Sequence, residues 1–164
     1  MLVAEIMSKS IVTVSRDTPF KDIWKKIFVK RIHSLPVVDA KNKLVGLISR
    51  EDLLKSLYPK YQDVMENLET AGDFEAMEAR MEDMKGLKAS DLMSKTVIFT
   101  RDTTLIMRAL SRMIVRNLAQ LPVLDDKDIV VGIITKGDIF YSLFQNHFEK
   151  KTHVKRTSAK RKTS

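Results

Sequence analysis

The chain has 164 residues, 44% of them apolar, enough to build the core of one domain or of two small, intimately packed repeats and too many for a disordered chain. With no cysteine it can form no disulfide, thiolate metal site or cysteine nucleophile. No stretch approaches the roughly 20 consecutive apolar residues of a membrane span, and Met1-Leu2-Val3-Ala4-Glu5 opens an amphipathic turn rather than a signal peptide, so a cytoplasmic location is expected.

Self-similarity organises the chain. Leu35-Pro-Val-Val-Asp39 recurs as Leu121-Pro-Val-Leu-Asp125, and Gly46-Leu-Ile-Ser-Arg-Glu-Asp52 recurs as Gly132-Ile-Ile-Thr-Lys-Gly-Asp138, both 86 residues on. Across 35–52 and 121–138 nine of the eighteen positions are identical, and Met7-Ser-Lys9 matches Met93-Ser-Lys95 at the same displacement, so the chain is a tandem duplication. Arg16-Asp-Thr18 matches Arg101-Asp-Thr103 at 85, which predicts one residue lost before the following helix and regained after it.

In chain order, repeat one spans 1–58. Ile11–Val14 is a short β-rich run. Asp17-Thr18 then suits a helix cap, with Pro19 at the first helical position, and Phe20, Ile23, Trp24, Ile27 and Phe28 form an apolar stripe in which Trp24 reads as core. Strands 35–38 and 44–48 flank the polar turn Asp39–Lys43, and a second helix begins at Ser49. The insertion 59–86 follows: Pro59 breaks the preceding helix, Gly72-Asp73 gives a stop and a cap, Phe74, Met77, Met81 and Met84 share one face, and Gly86 ends it. That stripe either packs on its own chain or forms a partner-docking or dimer face, an effector protein being the candidate partner through 60–86. Repeat two spans 87–148, with a β run at Val97–Phe99, a stripe of Leu105, Ile106, Ala109, Leu110 and Met113, strands 121–124 and 129–134, and a helix from Thr135. The tail 149–164 carries seven Lys/Arg against Glu149, most of the net charge of +8. The fold class is α/β (α+β): two βαββα repeats packed against each other, with a helical insertion between them.

The recurring Gly-h-h-Ser/Thr-x-x-Asp, where h is apolar, is the sharpest feature. It sets Ser49 or Thr135 at a helix N-cap and Asp52 or Asp138 in the first turn. Such a carboxylate accepts from both hydroxyls of a ribose, the Ser/Thr hydroxyl adds a further bond, and the helix N-terminus favours a phosphate. Gly46 and Gly132 would let a ligand approach the backbone. The same spacing is also a plain capping pattern, and composition alone leaves both readings open.

Element order, the Leu-Pro-Val-h-Asp strand and the doubled Gly-h-h-Ser/Thr-x-x-Asp together resemble the cystathionine β-synthase (CBS) domain, and the tandem pair resembles a Bateman module. The resemblance covers 1–58 and 87–148. It implies two clefts related by pseudo-twofold symmetry that take AMP, ADP, ATP, S-adenosylmethionine or a similar ligand, a regulatory role, and a homodimer through helix 19–30 and its counterpart 105–116. It implies that Asp52 and Asp138 hold ribose hydroxyls beside Ser49 and Thr135, and that Thr13, Val14, Ile98 and Phe99 border the base. The family often places basic residues just before the Leu-Pro strand; here His33-Ser34 stands in one copy and Ala119-Gln120 in the other, with Arg50, Lys136 and Arg116 as substitutes.

Catalysis is not expected, because there is no Gly-x-Ser-x-Gly elbow or phosphate-binding Gly-rich loop, and His33, His147 and His153 lack zinc-ligand spacing. The alternative is a nucleic-acid-binding or scaffold protein that contacts phosphates through 150–162, its clefts vestigial; a solvated tail is the simpler reading of the same run.

Overall fold

The computed structural model describes residues 1–57, 74–145 and 147–148, so Pro59, Gly72-Asp73 and the basic run Lys150–Lys162 lie outside the described residues. The first repeat contains α1 (Val3–Ile6), β1 (Val14–Ser15), α2 (Phe20–Trp24) continuing as a π-helical turn (Lys25–Val29), β2 (Ser34–Val38), β3 (Leu44–Ser49) and α3 (Arg50–Leu57). The insertion supplies α4 (Phe74–Met84). The second repeat contains α5 (Ala89–Leu92), β4 (Thr100–Arg101), α6 (Ile106–Val115), β5 (Gln120–Leu124), β6 (Val130–Thr135) and a last helix, α7, from 136 to 145. Among the described residues no helix is long and apolar enough to cross a membrane.

Two three-stranded sheets result, ordered β1-β2-β3 and β4-β5-β6. In each, the first strand runs parallel to the central one, Val14 beside Val37 and Thr100 beside Val123, while β3 returns antiparallel to β2 with an irregularity between Val37 and Val38. The central strands carry near-continuous apolar runs because both of their faces are covered. Leu35, Val37, Ile48, Ile23, Ile27 and Leu53 close one core; Leu121, Val123, Ile134, Ala109, Met113 and Ile139 close the other.

The compact units do not coincide with the repeats in sequence. One comprises Val12–Val97 with Asp128–Val130; the other comprises Met1–Ile11, Ile98–Lys127 and the residues from Val131 onward. The leading segment of each repeat therefore belongs to the body of the other. Val3 is fully buried in the core of β4-β5-β6, and Ser8 bridges Ile133 there through N–H···O bonds of 2.9 and 3.0 Å. Ala89 is fully buried in the core of β1-β2-β3, and Ser94 bridges Leu47 through bonds of 2.9 and 3.0 Å. Met-Ser, repeated at 7–8 and 93–94, is thus an edge-pairing element for the outer strand of each sheet.

Several sequence expectations change. The first strands are Val14–Ser15 and Thr100–Arg101, the one beginning at the last residue of the expected run Ile11–Val14 and the other just after the expected run Val97–Phe99, because ladder bonding to the central strand starts only there. The displacement is 86 throughout: Thr18 and Thr104 accept from the backbone N–H of Ser15 (3.0 Å) and Arg101 (3.3 Å), and Arg31 and Asn117 both adopt positive φ. The match at 85 is a coincidence of composition, and no residue is lost or regained. Those threonine hydroxyls close turns back onto the strands instead of capping helices; the N-caps are Pro19 and Leu105, with no side-chain cap bond.

Trp24 is 44% exposed rather than core. In the second copy the small Ala109 leaves room for Leu110, whereas Ile23 fills that layer in the first and Trp24 turns outward against Phe28, ring centroids 6.4 Å apart. Leu105, expected in the other stripe, is likewise exposed. On α4, Met84 is buried and Met77 half-buried, while Met81 stands exposed on the rim of that face. Gly86 follows the helix without positive φ.

Candidate ligand-binding site

The two Ser/Thr-x-x-Asp stretches fold identically, and each is a reciprocal box. Asp52 Oδ2 accepts from Ser49 N–H (3.1 Å) and Ser49 Oγ–H (2.5 Å), while Asp52 N–H donates to Ser49 Oγ (3.1 Å). Asp138 Oδ2 accepts from Thr135 N–H and Oγ1–H, both 2.8 Å, and Asp138 N–H donates to Thr135 Oγ1 at 3.0 Å. The capping reading is therefore true of both copies. It also limits the ligand chemistry. Each hydroxyl has given its single proton to its own aspartate, so it can offer a ligand only a lone pair, which corrects its expected part as a free donor. Oδ2 already accepts twice. Oδ1 of Asp52 and of Asp138 is engaged by nothing among the described residues, and its two lone pairs match two adjacent hydroxyls.

The position before the Leu-Pro strand acts through its backbone. His33 C=O accepts Arg50 N–H at 2.9 Å, and Ala119 C=O accepts Lys136 N–H at 3.2 Å, which fastens the first turn of each motif helix to the start of the central strand. The sequence reading attended to side chains and missed this; the matching register of Ser34 with Ser49 is its structural counterpart. His33 is exposed, and Arg50 and Lys136 are half-buried. Arg50 Nη2 lies 3.5 Å from Ile27 C=O, at the limit of a hydrogen bond, and its buried Nε has no partner among the described residues.

Of the residues expected to border a base, Thr13, Ile98 and Phe99 are half-buried, but Val14 turns its side chain into the core and can offer only main chain. Phe99 is held from two sides: Arg101 stacks its guanidinium 5.3 Å from the ring centroid, and Arg112 donates to Phe99 C=O at 2.9 Å. Neither arginine was singled out from the sequence; the spacing of Arg101 two residues after an aromatic was the available signal. Thr13, Val14, His33, Ser49, Arg50 and Asp52 belong to one compact unit, and Ile98, Phe99, Thr135, Lys136 and Asp138 to the other.

Gly46 and Gly132 do not keep the backbone open for a ligand. A Cβ on Gly46 would meet Met93 Sδ, with Cγ at 2.8 Å, and one on Gly132 would lie 2.5 Å from Met7 Sδ and 3.1 Å from Ser8 O. The glycines admit the methionines of the exchanged leading segments. Among the described residues no three His, Asp or Glu side chains converge as a metal site would require.

Known proteins give these features a context. The sequence profile of the CBS domain matches residues 3–59 and 89–144. The protein MJ1426 of Methanocaldococcus jannaschii is 32% identical over 154 residues, covering 87% of this chain and 91% of that one. The structure of CBSX2 in complex with AMP has 25% identity and a TM-score of 0.69, covering 89% of this chain and 98% of the other; CBSX2 is from Arabidopsis thaliana. The CBS domain pair of MJ0100, in complex with 5'-methylthioadenosine and S-adenosyl-L-methionine, has 26% identity and a TM-score of 0.65, covering 90% and 98%. With two profile matches that take in both aspartate boxes, the chain belongs to the CBS domain family, as a tandem pair.

Proposed function

We propose that this chain is a regulatory module whose two repeats bind an adenosyl ligand through Asp52 and Asp138. The observation that carries the reading is the doubled box that keeps Oδ1 of each aspartate free while fixing the carboxylate in place. A rigid acceptor with two vacant lone pairs suits the 2'- and 3'-hydroxyls of ribose, the element shared by AMP, 5'-methylthioadenosine and S-adenosylmethionine, which are the molecules bound in the similar structures. Thr13, Ile98 and Phe99 would border the base. Arg50, loosely held and with an unpartnered Nε, is the group best able to turn to a phosphate in the first copy, and Lys136 stands at its place in the second.

The insertion supports a signalling role, because Arg80 on α4 donates to the carbonyl of Leu57 at the end of α3, the helix that starts with the Asp52 box. An effector seated on α4 would thereby touch the far end of a ligand-contacting helix.

Calorimetry and thermal shift with AMP, ADP, ATP, S-adenosylmethionine, NAD and cyclic dinucleotides test the reading, because a ligand specific to the folded form raises its stability. The 2'-deoxy form of whichever ligand binds should lose about tenfold or more in affinity, the worth of one charge-assisted hydrogen bond. Asp52→Asn or Asp138→Asn should weaken binding by about ten- to a hundredfold with the fold retained. Indifference to the 2'-hydroxyl and to both substitutions would overturn the ribose assignment.

A further inference from the structure

The last helix turns its largest apolar side chains away from its own core. In α7, Ile139 is fully buried and Ser142 is half-buried, its Oγ–H donating to Met1 Sδ at 2.9 Å. Phe140, Tyr141, Phe144 and Phe148, by contrast, are 47%, 70%, 56% and 63% exposed. Spacings of three and four join them into one stripe, at whose end Phe144 and Phe148 stack with ring centroids 6.1 Å apart. A surface helix ordinarily buries its apolar stripe and shows its charges. Here no Lys, Arg, Asp or Glu occurs from Ile139 to Phe148, and His147, edge-on to Phe148, is the one basic side chain in that stretch.

The charge comes directly afterwards, where 149–164 carries seven Lys/Arg against Glu149. Beside the helix, the exposed Met1 and Leu2 continue the apolar surface toward α6, whose Ile106 N–H donates to Met1 C=O at 3.2 Å and whose Arg108 is exposed. The carboxylates on these elements are engaged: Glu5 accepts from the Leu2 N–H and lies 3.9 Å from the Met1 amino group, and Asp138, at the other end of α7, is held in its box.

Apolar surface and positive charge are thus separated along the chain rather than interleaved. A nucleic-acid strand sets a phosphate beside every base and would need cations among the aromatic rings, as well as rings standing apart to take the bases. A membrane surface has the layering seen here, an acyl boundary in which aromatic side chains settle and a headgroup layer that attracts lysine and arginine. A modest apolar insertion or a polybasic run binds a bilayer weakly by itself, and the two together hold it.

We infer that the exposed face of α7 seats on an anionic lipid surface, with Tyr141, Phe144 and Phe148 in the interfacial layer and the Lys/Arg residues that follow against headgroup phosphates. The helix lies on the membrane and does not cross it. This inference stands apart from ligand binding, and its test needs no nucleotide.

The test measures co-sedimentation of the full chain with vesicles of phosphatidylcholine alone and of an equal mixture of phosphatidylcholine and phosphatidylglycerol. The wild-type protein should bind the mixed vesicles, bind the neutral ones far less, and release as salt rises. Y141Q/F144Q alters exposed side chains only, and circular dichroism checks its fold; it should lose about tenfold or more in partitioning, whereas Y141W/F144W, which keeps the aromatic character, should retain it. K150Q/K151Q should also lose about tenfold or more. No binding to the mixed vesicles, or binding that survives Y141Q/F144Q, would overturn the proposal. So would a wild-type chain that ignores vesicles but binds generic single-stranded RNA, or one that self-associates in sedimentation velocity and is dissociated by Y141Q/F144Q without any vesicle binding, because the aromatic face would then belong to a polynucleotide or to another protein surface.

Discussion

Thr100 is the one fully buried residue whose hydroxyl finds no partner among the described residues. It occupies β4 beside Val123, and its equivalent in the other sheet is Val14, equally placed beside Val37 and 5% exposed. An unpaired buried hydroxyl costs about 1–3 kcal/mol, and valine has nearly the same shape without it. Thr100→Val should therefore stabilise the protein by about 1–3 kcal/mol. For a chain of this size that is a rise in Tm of about 2–12 °C, taking about 2–4 °C per kcal/mol. Urea unfolding measures it best: the midpoint should rise with the slope unchanged, which separates a gain in native stability from a change in the denatured state. The reciprocal Val14→Thr should cost a similar amount by introducing the same defect into the other sheet. A midpoint that falls in Thr100→Val at constant slope would refute the reasoning, because it would mean that the hydroxyl is satisfied. Ligand affinity should be unchanged, as a side chain with no exposed surface cannot touch a ligand.

Gly132→Ala should destabilise by about 1–3 kcal/mol, since the new methyl collides with Met7 and with the Ser8 carbonyl that Ile133 needs; pairing it with Met7→Ala should recover part of the loss in a double-mutant cycle. Ser49→Ala and Thr135→Val each remove a box that anchors a helix start, and urea unfolding should show losses of about 1 kcal/mol. In the turn after β2, the N–H groups of Lys43 and then Lys41 hold the Asp39 carboxyl below its ordinary 3.8. A carboxyl lowered in the folded state stabilises fully above its unfolded value, and that contribution is lost as pH falls through the lower folded one. An NMR titration should thus find the Asp39 midpoint below 3.8, and in Asp39→Asn the stability-versus-pH curve should lose this acid-side dependence.

Much of this fold is legible in the sequence because its signals are local. The Asp52 and Asp138 boxes are formed within four residues, so the spacing of Ser/Thr and Asp suffices to place them, and the apolar runs 35–38 and 121–124 mark buried central strands wherever they lie in space. The exchange of leading segments is not legible. Met7-Ser-Lys9 and Met93-Ser-Lys95 look the same whether each packs on its own repeat or on the other, because the repeats share the same glycine and the same edge strand. The match of Arg16-Asp-Thr18 at 85 misled for a related reason: identity of residue type outweighed the pairing register, which only the strand ladders reveal. Trp24 was unreadable because its exposure depends on the volume of Ile23 next to it rather than on its own position in the helical period. The free Oδ1 of the aspartates lies in between: the pattern names the carboxylate, but only the geometry tells which of its oxygens is spent on the helix.

The exchanged segments also set an order of events for a growing chain. The body built from Val12–Val97 is nearly contiguous, lacking only Asp128–Val130, where Ile129 bridges Lys43 and Val130 N–H donates to Asn42 C=O, and it can close as soon as that stretch has left the ribosome. The other body joins Met1–Ile11 to residues beyond Ile98 and must wait for them, with Val3, Ile6 and Met7 unburied in the meantime. Loop-closure entropy makes that late, long-range step the slow one. Moving residues 1–11 to the C-terminus by circular permutation would bring both partners of that body close in sequence, and refolding should then accelerate while the native contacts stay the same.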